Sequence, residues 1–453
     1  MQSNRLRIAP LALALALAAS TLLSAPAGAA ARETVLYNFG IRAGDGHGPV
    51  GPLIADESGA LYGTTDSGGD TNRGTVFMLT PPSITGGVWT EKLLHVFAGA
   101  DGTSPFAGLV ADRRGALYGT TAGGGDANAG TVFRLTPPAI AGGAWTETVL
   151  HNFVVADGRA PFAGLIMDRS GALYGTTFGG GAANLGTVFR LTPPTVPGGA
   201  WTETILHSFT GADGTNPAAG LIMDGTGALY GTTGGGGGGN AGFGTVFKLA
   251  PPTSPGGAWT ETVLHSFTGV DGDFPLAGLI MDERGALFGT TYYGGEINFG
   301  TVFRLTPPSN PGSAWTETVL HSFTGIDGES PAAGLITDHR GALYGATMFG
   351  GAANLGAAFK LTPPSRPGGA WTEIVLHSFM GPAADGNGPA ALLADHRGTL
   401  FGTTGSGGGG SEGGTVFCLS GVREPSGPGM SDEFDDGSLD PLHRQQTCGA
   451  ARQ

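Results

Sequence analysis

GALYGTTFGGGAANLGTVFRLTPPTVPGGAWTETILHSF, residues 171–209, decides the fold, because versions of it recur along the whole chain. The tryptophans that mark each copy are Trp89, Trp145, Trp201, Trp259, Trp315 and Trp371, a step of 56, 56, 58, 56 and 56 residues. A fixed period of this size marks a repeat architecture. Stacked units share one continuous structure, so the repeat overrides the two or three domains that 453 residues would otherwise suggest.

Each unit holds four segments with strand character, labelled A to D from the axis outward. In the second copy they are AGLVAD (107–112), GALYGTT (115–121), GTVFRLT (130–136) and WTETVLHNF (145–153). Segments B to D alternate apolar and polar residues and are rich in Val, Thr, Phe and Trp, which argues for strands. Strict alternation would put Trp145, Glu147, Val149, His151 and Phe153 on one face of segment D. Asp112-Arg113-Arg114-Gly115 reads as a tight hairpin, residues 123–130 as a glycine-rich loop, and Pro137-Pro138 as a break in strand pairing. Four antiparallel strands per repeat describe a propeller blade. Segments A, B and C occur seven times, but only six D segments lie between blades. A lone D segment, ETVLYNF at 33–39, precedes the first A, and the last unit ends at C near Leu419. The chain is therefore expected to form an all-β, seven-bladed propeller, with the N-terminal strand closing the last blade and leaving no open edge.

The succession LYGTT, GG, GTVFxL and WTExVLHSF resembles the GloVer tandem-repeat family of exported bacterial proteins, over residues 33–420. Members of that family carry varied C-terminal anchors, and the resemblance implies no known ligand. The pair AGLIMDRSGALYGTT (163–177) is also similar to NHL-type propeller blades.

Glycine (86 residues) and proline (30) make up about a quarter of the chain, but the glycines fall at fixed offsets between alternating segments, as turns require. The net charge of −14 and the lack of a basic run beyond the N-terminus argue against nucleic acid and anionic membranes as partners. Arg5 and Arg7, the apolar residues 11–23 and the small residues 25–31 read as a secretory signal peptide, so residues 1–31 are expected to be removed. No later stretch is long and apolar enough for a membrane helix. A secreted or periplasmic monomer is expected. Residues 32–420 form the propeller and 421–453 a polar tail without a visible anchor. In the tail, residues 431–441 (SDEFDDGSLDP) resemble the opening of a concanavalin-like β-sandwich; a truncated domain and a disordered tail are both open. The two cysteines, Cys418 and Cys448, can form one bridge in an oxidising compartment or remain as thiols.

Three sets of residues could carry function. D-G-x-x-P recurs in every D–A loop, with Asp45, Asp101, Asp157, Asp213, Asp271, Asp327 and Asp385. These could ring the channel mouth and hold Ca²⁺ through oxygen ligands, the only cofactor considered, or each could cap its own turn. Asn72, Asn128, Asn184, Asn240, Asn298 and Asn354 recur in the B–C loops on the same face, with Glu412 in the seventh place. They could contact a polar ligand or serve left-handed turns. The third set departs from the repeat: Phe178, Tyr292, Tyr293, Phe299, Met348 and Phe349, proposed as binding residues because blade packing does not demand them. His95, His151, His207, His265, His321 and His377 share one register on segment D, with Tyr37 in the seventh, and are read as intra-blade hydrogen-bonding groups. Gly409 to Gly413 spells G-x-S-x-G without a strand-to-helix context, and no zinc motif is present. Near-identical blades suit binding of a glycan, peptide or surface partner. The alternative is a lyase or hydrolase acting on a polysaccharide or other polar substrate at the channel mouth, which would need unlike residues converging in one place.

Overall fold

The computed structural model describes residues 31–422, apart from 85, 141, 197, 239–241, 255, 311, 367, 410 and 411, together with Cys448. The expected signal peptide and most of the tail, including its β-sandwich-like stretch, lie outside the described residues, as do Asn240 and Ser411. Seven four-stranded antiparallel sheets form a seven-bladed propeller. Blade 2 is representative, with strands Val110–Ala111, Leu117–Thr121, Thr131–Thr136 and Thr146–Asn152 in sequential order. The innermost strand is only two residues long in blades 1 to 6 and extends to eight, Asn387–Ala394, in blade 7.

Closure takes the expected form. Arg32–Asn38 pairs antiparallel with Thr415–Ser420, placing Glu33 opposite Leu419 and Tyr37 opposite Val416. Glu147 opposite Leu135 and His151 opposite Val132 hold the same places in blade 2, so Tyr37 stands where the other blades carry histidine. One expectation is corrected. The alternation of segment D holds from Trp145 to Thr148 and is then broken by a β-bulge between Val149 and His151, repeated in every blade. The extra residue, Leu150 in blade 2, stays unpaired and twists the strand end, re-aiming the histidine beyond it.

Adjacent blades are joined by two repeated contacts. A buried phenylalanine just past each outer strand packs edge-on against a phenylalanine on the third strand of the next blade: Phe97–Phe133, Phe153–Phe189 and so on round to Phe39–Phe77, at centroid distances of 4.9 to 5.2 Å. Each pair adds roughly 1 kcal/mol beyond the burial itself. A buried threonine on the second strand also donates to a carbonyl at the start of the next blade: Thr64 to Ala107, Thr120 to Ala163, Thr176 to Ala219 and, across the closure, Thr403 to Gly51. Blade 6 carries buried Ala346 at this place. Gly119 is obligatory for the packing: a Cβ there would lie 2.6 Å from the Phe133 ring. Cys418, fully buried on the third strand of blade 7, is joined to Cys448.

Candidate functional site

The D–A and B–C loops share one face, and the D-G-x-x-P aspartates are spread round it, one at each entry to a blade. Every one is committed to its own turn. Asp101 Oδ1 accepts from the Ala98 and Gly99 amides at 2.8 and 3.1 Å, while Oδ2 meets His95 Nε2 at 2.9 Å. The same histidine–aspartate pair recurs at 3.3, 2.8, 3.1, 2.9 and 2.7 Å in blades 2 to 6, and the Tyr37 hydroxyl donates to Asp45 at 3.2 Å in the seventh place. Among the described residues no group of three or more His, Cys, Asp or Glu side chains gathers as a metal site. The structure therefore places the seven aspartates apart. Burial opposes ionisation at Asp213, Asp327 and Asp385, but hydrogen bonds from histidine and turn groups win and hold these carboxyls below their usual range. His151 and His265 are lowered by burial. The described loop asparagines are also occupied: Asn72, Asn128, Asn184, Asn298 and Asn354 adopt positive φ, and each Oδ1 accepts an amide of its own loop. Glu412 is exposed.

Asymmetry enters one step nearer the axis. The third residue of each D-G-x-x-P loop pairs with the second residue after the B strand, giving His47–Ser67, Thr103–Gly123, Arg159–Gly179, Thr215–Gly235, Asp273–Tyr293, Glu329–Phe349 and Asn387–Ser406. Only blades 5 and 6, which are adjacent, pair an acid with an aromatic ring. Tyr293 and Phe349 are each 42% exposed. Tyr292 packs edge-on to Tyr293 at 4.6 Å, and its hydroxyl reaches the Met348 sulfur of blade 6 at 3.7 Å. The structure thus brings Tyr292, Tyr293 and Met348 together and sets Phe349 in the neighbouring pair. Phe178 belongs to a separate group on blades 2 and 3: it packs on Phe162 at 5.4 Å, and Phe162 in turn packs on Phe106 at 5.5 Å. Phe299 is placed differently: it packs on the core between blades 5 and 6 and beside Gly325.

Three residues of this sector were missed from sequence. Phe274 stacks on Tyr293 (6.4 Å, 29°) and lies over Gly234, with φ +58°. The left-handed region is uncommon for a bulky residue and costs on the order of 1 kcal/mol. Asp273 and Glu329 occupy the variable third position of the loop motif. Burial raises the Asp273 carboxyl and the Tyr292 phenol; Tyr293 and Glu329 push the phenol further the same way. The available signal was the comparison of DGDFP and DGESP with DGTNP.

On the opposite face the repeat is built on a tyrosine–aspartate pair, with Phe288 and Phe401 in place of the tyrosine in blades 5 and 7. In blade 3 the Tyr174 hydroxyl donates to Asp168 at 3.0 Å, Arg190 lies over the ring at 5.6 Å, and Trp259 of the next blade packs against its edge. A cleft of about 680 Å³ between blades 2 and 3 is lined by the equivalent Asp112, Tyr118, Arg134 and Trp201. A second repeated feature is Glu33, Glu91, Glu147, Glu203, Glu261, Glu317 and Glu373 on the outer strands. Each has an Oε1 without a hydrogen-bond partner. Burial pushes all seven carboxyls up to about 7.

The molecule is a seven-bladed propeller whose loop face carries two non-repeated aromatic groups, one on blades 2 and 3 and one, paired with acids, on blades 5 and 6. A family model described as the Gloeobacter/Verrucomicrobia repeat matches residues 24–146, 139–339 and 310–437, and the chain belongs to that family. No curated protein matches the chain. Among solved structures it is similar to the extracellular domain of BT3049 from B. thetaiotaomicron, assigned to a hybrid two-component system, with 10% identity and a TM-score of 0.44 over 81% of this chain and 44% of that one. It is also similar to XC5397 from Xanthomonas campestris, a gluconolactonase, with 15% identity and a TM-score of 0.39 over 86% and 89%. The chain spans less than half of the first of these. Among the described residues no helix is long and apolar enough to cross a membrane.

Proposed function

We propose that this is an exported, monomeric binding protein that engages a partner through the inner end of its loop face at blades 5 and 6. One observation carries the reading: Tyr292, Tyr293, Phe274, Met348 and Phe349 stand where most other blades carry glycine or small polar residues, and the rings of Tyr293 and Phe349 are exposed. Blade packing does not require them, as the glycines at the same places in other blades demonstrate. Glycans and peptides both exploit exposed aromatic faces. The test is a parallel glycan and peptide array on the mature protein and on its Y293A/F349A variant. The expected result is a ligand retained by the parent and lost by the variant at unchanged thermal stability. A ligand held equally by both would place recognition elsewhere.

A further inference from the structure

The acid–aromatic pairs lie side by side on the loop face. Asp273 and Tyr293 exchange both backbone hydrogen bonds at 2.9 Å, and Glu329 and Phe349 do so at 2.9 and 3.0 Å. Directly opposed residues of an antiparallel pair send their side chains to the same side, so each exposed ring has a carboxylate beside it. Tyr292 links the two pairs, touching Tyr293 in its own blade and Met348 in the next. Phe274 completes the group, stacked on Tyr293 and edge-on to Tyr292 at 6.4 Å each. The rings of Phe274, Tyr292 and Tyr293 therefore meet at several inclinations in one cluster, with Asp273 opposite Tyr293 and the Glu329 charge close enough to act on Tyr292. The one arginine in the equivalent register, Arg159, lies on blade 3, where its Nε donates to Asn184 Oδ1 at 3.1 Å.

Aromatic faces attract cations, and a carboxylate beside the ring adds a full charge to that attraction. A neutral sugar would use the rings and leave both acids without a counter-charge; an anionic one would be repelled. The surface also extends beyond what a small cation needs. Val270 and Ile326, at the tips of the loops entering blades 5 and 6, are 79% and 82% exposed, and Ile297 in the adjoining B–C loop is exposed too. Building on the binding face proposed above, we infer that the sector receives a basic polypeptide segment. A lysine or arginine side chain lies against Tyr293 and Phe349 between Asp273 and Glu329, and neighbouring apolar residues of the partner cover Val270, Ile297 and Ile326.

The test uses the mature full-length protein and fluorescence anisotropy of a dye-labelled oligolysine octamer, at about 150 mM salt, where charges more than roughly 8 Å apart are largely screened. Three double variants are compared: D273N/E329Q, Y293A/F349A and E57Q/D126N. The last removes the same net charge from exposed positions outside the sector. Expected are affinity losses of about tenfold for the first and about fivefold for the second, and a change within about twofold for the third. Equal losses in the two charge-removing variants would reduce the effect to general acidity and overturn the inference. Preference of the parent for an oligoglutamate octamer or a neutral glycan would also overturn it. If an uncharged ligand is lost by Y293A/F349A but kept by D273N/E329Q, the basic-segment inference falls and the binding face stands. If neither variant alters binding of anything the parent binds, both fall.

Discussion

Replacing all seven outer-strand glutamates by glutamine should change how stability depends on pH. Each carboxyl rises from 4.5 to about 7 because burial opposes ionisation, and in every blade the aspartate of the loop that enters it adds to the rise: Asp385 for Glu33, Asp45 for Glu91, Asp101 for Glu147, Asp157 for Glu203, Asp213 for Glu261, Asp271 for Glu317 and Asp327 for Glu373. His377 eases the burial of Glu33, Arg42 that of Glu91 and His321 that of Glu373. Below pH 4.5 the folded and unfolded chains both hold these protons. Between 4.5 and 7 the folded chain keeps protons that the unfolded chain has released, so stability falls as pH rises, and above 7 the full penalty applies. At face value the shift is worth roughly 3 kcal/mol per group, but these groups are only half-buried, and solvent screening reduces the expected size to about 1 kcal/mol. For a chain of this length that is about 1 °C in Tm per group, so the set should lower Tm by about 5–10 °C between pH 5 and pH 8. His151 and His265 oppose the trend, since burial lowers them in the fold and stability rises with pH below 6.5 through them. Two groups against seven leave the sign unchanged. Asp213, Asp327 and Asp385, all lowered, matter only below about pH 4. Thermal melts followed by circular dichroism from pH 5 to pH 8 measure the slope. A parent whose Tm is flat or rises across this range, or a sevenfold glutamine variant with the same slope as the parent, would refute the reasoning.

Three further outcomes are expected. Phe274→Asn should leave Tm within about 2 °C of the parent, because release of about 1 kcal/mol of left-handed strain offsets the lost ring contacts; a larger fall in a thermal melt would make the ring structural. Ala346→Thr with Ala358→Val restores the hydroxyl and methyl groups that blade 6 lacks beside its neighbours, and should add about 1–2 kcal/mol in a denaturant titration; destabilisation would show that this junction has no room for them. Millimolar Ca²⁺ should leave Tm unchanged, because each D-G-x-x-P carboxylate is already taken by its turn amides and its histidine or tyrosine; a rise of several degrees would show that the ion displaces those partners.

Most of the architecture was legible because each blade repeats the same turn residues at the same offsets, and because the stray ETVLYNF had one place to go. The bulge at Leu150 and its counterparts was not legible. Val149, Leu150 and His151 are all compatible with a strand, and side-chain type does not report an inserted residue. The aspartate ring looked like a possible cation collar because spacing alone does not say which way a turn residue points. Once the bulge re-aims the histidine, the six-residue gap between His95 and Asp101 becomes a pair. Tyr293 and Phe349 were visible as departures from glycine. Phe299 was too, but its place is filled by Phe243 in blade 4 and Leu185 in blade 3, both packed on the core, so this departure serves packing. Asp273 and Glu329 were hidden in a position that tolerates any residue, and only the cross-strand bridge shows which ring each one borders.

Hydrogen–deuterium exchange of the protein with its bound ligand tests the central claim most directly. Protection confined to residues 270–274, 292–297, 326–330 and 348–349 is the predicted footprint. Protection centred instead on the opposite face, at the turn of residues 112–115 and the Pro193-Pro194 loop beside Trp201, would contradict it.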